Sequence, residues 1–79
     1  MRAWNLLVKD RNTIEEILLA RRHHVNFAVT AKTVKKVNVG DMIILHNYYG
    51  VHMYVEKMVS SKKVVKKDNG EKVIVLRFL

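Results

Sequence analysis

The sequence predicts an α+β fold: a small, curled, mainly antiparallel β-sheet or barrel of about five strands, with one helix after the first strand. Three observations carry that prediction. One capped amphipathic stretch follows the first aliphatic run, and the later apolar runs are short and separated by turn signals. Hydrophobic residues make up 49% of the 79, enough for one compact core. There is no proline, no internal repeat and no Gly/Ser-rich linker, so residues 1–79 read as a single domain.

The elements follow in order. Residues 3–8 are short and aliphatic, with Trp4 near the start, and read as a largely buried strand. Residues 13–23 read as the helix: Thr13 and Glu16 have the spacing of a capping box. Glu15 and Glu16 early and Arg21 and Arg22 late suit the helix dipole, and Ile14, Ile17 and Leu18 share one face. Residues 25–29 alternate and read as extended. Residues 32–39 are basic, with Val34, Val37 and Val39 irregularly spaced. Gly40-Asp41 is a turn signal that launches a buried strand over 42–46. Residues 47–50, with Gly50 where a hairpin wants it, connect to an alternating return strand over 51–59. Val51, Met53 and Val55 point to one side of it, His52, Tyr54 and Glu56 to the other. Residues 60–67 continue extended, Asp68-Asn69-Gly70 turns, and 73–79 form a last, mostly buried strand.

Charge narrows the partners. Fifteen Lys and Arg against seven Asp and Glu give a net charge of +8, a field that favours polyanions, nucleic acid first. A solvated, lysine-rich surface is the plainer explanation of the same composition. No apolar run approaches a membrane span, and the first residues lack a signal-peptide pattern, so the expected setting is cytoplasmic, with no membrane contact.

Cysteine is absent, which removes disulfides, thiolate metal sites and cysteine nucleophiles. His23 and His24 are adjacent and unsuited to chelation from one helix. His46 and His52 flank one hairpin, but a zinc site needs three or four protein ligands, so no metal and no cofactor is expected. Ser60 and Ser61 lack a nucleophile context, and the three glycines form no phosphate loop, so the chain does not read as an enzyme.

The lysines are more informative. Lys32, Lys35 and Lys36 precede the Gly40-Asp41 strand, while Lys62, Lys63, Lys66, Lys67 and Lys72 flank the last hairpin. Either group suits phosphate contacts, and the second equally suits protection of a sheet edge. Tyr48 and Tyr49 form a contact loop, for stacking bases or for a homodimer or other protein partner.

The order of parts resembles the EVE domains of the PUA-like superfamily, which also includes the PUA, ASCH and YTH domains. Trp4-Asn5-Leu6-Leu7-Val8 stands for the opening strand, and Ile14-Glu15-Glu16-Ile17-Leu18 for the helix. Phe27-Ala28-Val29 stands where the family carries Trp-Gly-Val. Residues 36–46 match the Gly-Asp strand, and Gly50 and residues 55–59 follow in order. This chain is a shortened version, and His46 takes the place of the usual strand-end aromatic residue.

The resemblance implies a binding module for RNA or DNA that takes a modified or flipped base into a pocket. By position it implies Trp4, Asn5, Asn26, Phe27 and His46 as pocket residues. It places Arg21, Arg22, Lys35 and Lys36 near that pocket as phosphate contacts, beside Lys32, Lys62 and Lys63. Trp4 suits core and pocket wall alike. A second reading stays open: an assembly subunit without a nucleic-acid role, using the Tyr48-Tyr49 loop or the strand at 73–79.

Overall fold

Buried and exposed side chains alternate through β3 (Met42–Asn47): Ile43, Leu45 and Asn47 are buried, and Met42, Ile44 and His46 lie on the opposite face. β1 (Ala3–Leu7) pairs with β3 in parallel, and β4 (Met53–Lys66) pairs with its other side antiparallel. β5 (Lys72–Phe78) then pairs antiparallel with both β4 and β2 (His24–Ala28). The sheet order is β1-β3-β4-β5-β2. The structure is a computed structural model that describes residues 1–47 and 53–79. Tyr48, Tyr49, Gly50, Val51 and His52 lie outside the described residues.

The α+β class, the five strands, the mainly antiparallel pairing and the helix after β1 are as the sequence predicts. The barrel is not. β1 and β2 stand at opposite ends of the sheet with no ladder joining them. A cavity lined by both strands and by the start of the helix takes the place of a closing ladder.

That helix, α1 (Arg11–Leu18), starts and stops earlier than expected. Asp10, not Thr13, is the cap: its carboxylate accepts from the Asn12 N–H at 3.0 Å and from the Thr13 hydroxyl at 3.3 Å. Glu15 and Glu16 therefore sit mid-helix, and Arg21 and Arg22 follow its end. Termination comes at Ala20, whose φ of 57° is left-handed. Ala20 N–H reaches the Ile17 carbonyl at 3.1 Å and Arg21 N–H the Glu16 carbonyl at 2.9 Å, a Schellman end. Ile14 and Ile17 are buried, whereas Leu18 is 52% exposed, so the apolar face is narrower than its spacing suggested.

A second helix, α2 (Lys32–Lys36), occupies the basic stretch. Its Val34 and, one turn on, Val37 are both buried, which accounts for valine spacing that fits no strand. Neither helix is long and apolar enough to cross a membrane.

The core joins Leu6, Val8, Ile14, Ile17, Ile43, Leu45, Leu76 and Phe78, with Trp4, Phe27 and Met53 packed against it. Truncating a fully buried Ile or Leu to Ala costs about 2–5 kcal/mol, a large part of a small domain's stability.

β4 serves both halves of the sheet because it carries a bulge. The register steps from Val59 opposite Phe78 to Ser61 opposite Arg77, leaving Ser60 as the extra residue. Before the bulge, odd-numbered residues face the core; after it, Lys62 and Val64 come into register with buried Leu76 and Ile74, although Val64 is 62% exposed beyond the core. Lys62 thus turns inward, while Ser61, Lys63 and Val65 turn outward. The hairpin to β5 closes through Asp68-Asn69-Gly70, with Gly70 at φ 86° and its N–H on the Lys67 carbonyl at 2.9 Å.

Candidate functional site

The cavity between the end strands has a volume of about 500 Å³, within the range of about 300–1,000 Å³ typical of small-molecule sites. Leu7, Val8 and Lys9 line it from the end of β1, Asp10 and Thr13 from the start of α1, and Val25, Asn26, Phe27 and Ala28 from β2. Arg22 and Ala31 complete the wall. Three residues that the resemblance implied, Arg22, Asn26 and Phe27, are therefore brought together.

Each wall is held by identifiable bonds. Asn47, buried at the end of β3, donates from Nδ2 to the Val8 carbonyl at 2.7 Å and the Lys9 carbonyl at 3.1 Å. This fixes the turn from β1 into α1. Asp10 lines the cavity as an acid, but its carboxylate already accepts from Asn12 and Thr13 at the cap. Arg22 donates from Nε to the His24 carbonyl at 3.0 Å, with Glu16 3.9 Å from its NH1. That holds the guanidinium at the rim. Phe27 is half-buried against the core, and Asn26 is exposed on the end strand. The site thus offers an aromatic ring, an amide that can donate and accept, and two cations, Lys9 and Arg22.

The other implied pocket residues lie elsewhere. Trp4 donates from Nε1 to the Asp41 carboxylate at 2.9 Å, and the Arg2 guanidinium lies 4.6 Å from its ring centroid. Its polar edge and one face are therefore engaged near the start of β1, away from the cavity. Asp41 also accepts from the backbone N–H of Asn38 at 3.0 Å and of Arg2 at 3.3 Å. These bonds, the Asn38 N–H foremost and the Trp4 indole next, hold its carboxyl below the usual aspartate range. The Gly40-Asp41 signal is therefore a structural clamp joining the starts of β1 and β3. Asn5 and His46 lie on the outer face of the β1-β3-β4 half, in register with Ile44 and Leu7 respectively.

The phosphate-contact candidates also separate. Lys62, turned inward by the bulge, donates from Nζ to the carbonyls of Lys35 at 2.7 Å and Val37 at 2.9 Å, so it caps the end of α2. Lys35 and Lys36 are exposed on that helix, Lys32 follows directly on Ala31, and Arg21 is exposed beyond α1. Lys63 joins the opposite face of the sheet. The Tyr48-Tyr49 contact loop lies outside the described residues. Among the described residues no three His, Asp or Glu side chains are grouped to hold a metal ion.

Lys9 and Thr13 carry no site signal in the sequence, because Lys9 falls where the first strand pattern breaks and Thr13 is itself explained as a helix cap. Only the topology, which brings the two end strands to one cavity, reveals them. The chain matches no protein-family model, and no curated protein matches its sequence.

Proposed function

We propose that the chain is a PUA-like, EVE-like module that binds single-stranded nucleic acid, with one base, flipped or modified, entering the cavity between β1 and β2. The observation that carries this reading is the meeting of Arg22, Asn26 and Phe27 in one cavity with Lys9. Phe27 offers a stacking surface, Asn26 a base-edge reader, and Arg22 and Lys9 a cationic rim for phosphate. The net charge of +8 supports a polyanionic partner. The role is binding without catalysis, and such a partner suits a cytoplasmic protein.

Fluorescence anisotropy with a labelled single strand tests the proposal. Binding should weaken steeply with salt, and Arg22→Gln should lower affinity several-fold while reducing the log–log salt slope by about 0.7. Asn26→Ala, at an exposed position, should reduce discrimination among bases more than affinity. Absence of binding at low salt would overturn the reading.

A second reading, an assembly subunit, is favoured by a different surface. Leu7, Tyr54 and Met58 are each at least half exposed on the outer face of the β1-β3-β4 half, beside Met42 and Ile44. A partner protein covering that face would bury them. The expected strand at 73–79 falls within β5 but for Leu79, and β5 has a neighbour on each side in the sheet. Sedimentation showing a monomer at every concentration would count against self-association.

A further inference from the structure

The outer face of the β4-β5-β2 half carries a basic hollow. Its side chains fall in cross-strand rows: His24, Arg77 and Ser61 are in register, and Asn26, Val75 and Lys63 form the next row. These six residues and Val65 line one hollow of about 270 Å³, with half-buried Val75 on its middle strand. The Ser60 bulge makes this face, because it turns Ser61 and Lys63 outward beside Arg77.

The arrangement places like charges together. Arg77 stands directly across from His24, and Lys63 is one row away on the next strand. Arg77 and Lys63, cations one row apart on adjacent strands, repel each other, and protonation of His24 adds to that repulsion. Among the described residues neither Arg77 nor Lys63 is ion-paired to a carboxylate, and no carboxylate lines the hollow. His24 responds to this setting. Partial burial first, then the charges of Arg22 and Arg77, push its pKa below the usual imidazole range, with Glu16 offsetting part of the effect. Arg77 supplies a guanidinium fork, Lys63 a point charge, and Ser61 and Asn26 neutral donors, a set suited to a tetrahedral oxyanion.

Asn26 lines both this hollow and the cavity between β1 and β2. We infer that the hollow binds a phosphate group, that of a nucleotide neighbouring the base held in the β1-β2 cavity. Its source rests on the proposed function; its chemistry rests on the hollow alone. The path of the strand crosses the β2 edge at Asn26.

The test is an NMR titration of the whole chain with inorganic phosphate and, separately, with a short single-stranded oligonucleotide. Wild type, Arg77→Gln, Lys63→Gln and Arg22→Gln are compared. Arg77 and Lys63 are exposed, so their variants are expected to fold. Phosphate should move the His24 imidazole and Arg77 side-chain signals in wild type and leave His24 still in Arg77→Gln. The oligonucleotide should move the same signals together with Val8 and Phe27. Arg77→Gln should bind it roughly tenfold more weakly, with a salt slope smaller by about 0.7.

An oligonucleotide that moves Val8 and Phe27 while Arg77→Gln and Lys63→Gln bind it as wild type overturns the inference and leaves the proposed function standing. Phosphate shifts at His24 without oligonucleotide binding overturn the proposed function and the nucleic-acid source, and support the phosphate chemistry. No shift with either probe overturns both.

Discussion

Asp41 accepts hydrogen bonds from Arg2, Trp4 and Asn38, and these favour its ionised form in the folded chain. The folded-state pKa is depressed, so the stabilisation is complete above the ordinary aspartate range near pH 4 and is lost as pH falls through the lower folded value. Asp41→Asn should lower the thermal midpoint at neutral pH and flatten the acid side of the stability profile. Trp4, the single tryptophan, reports this through its fluorescence. A variant that kept the wild-type acid slope would assign that slope to another group. His24 adds a window at higher pH. Its folded pKa is also depressed, so its contribution is present above the ordinary value near 6.5 and lost as pH falls through the folded value. His24→Gln should flatten stability between about pH 7 and 5, as read by chemical denaturation at each pH. Asn47 makes a different kind of contribution. Asn47→Leu would leave the Val8 carbonyl without this buried donor, at a cost of about 1–3 kcal/mol.

At the scale of elements, α1 ends on an alanine where a left-handed residue is needed. Ala20→Gly removes the Cβ conflict and should stabilise the chain by about 0.5–1 kcal/mol, measured by urea denaturation. The hairpin before β5 offers the converse: Gly70→Ala puts a side chain at φ 86° and should destabilise by about 1 kcal/mol although the space around it is open. These two positions also mark what could be read in advance. Asp68-Asn69-Gly70 announces its turn because glycine supplies the conformation. Ala20 gives no such signal, so the expected helix ran on to residue 23. The strands were legible from aliphatic runs and alternation, as in β3. α2 was not, since five residues with no side-chain cap leave little pattern. The bulge at Ser60 was equally hidden, and it decides that Lys62 caps a helix while Lys63 faces solvent.

For the molecule as a whole, composition pointed to a polyanionic partner but not to a place on the surface. Asn26, Phe27 and Arg22 are close in sequence, and the resemblance put them near a pocket. Their partners Leu7, Val8 and Lys9 come from the far edge of the sheet, and only the strand order brings them there. The resemblance also put Trp4 at the pocket, by position, and of its two readings, core and pocket wall, the bond to Asp41 favours the scaffold. In the proposed function the cavity between β1 and β2 receives a base. Its most direct test is a backbone-amide NMR titration with single-stranded RNA and DNA at low salt. Shifts are expected at Val8, Lys9, Arg22, Asn26 and Phe27, with the Trp4 indole signal unmoved. Shifts confined to Ile44, Tyr54 and Met58 on the outer face, or no shifts at all, would contradict it.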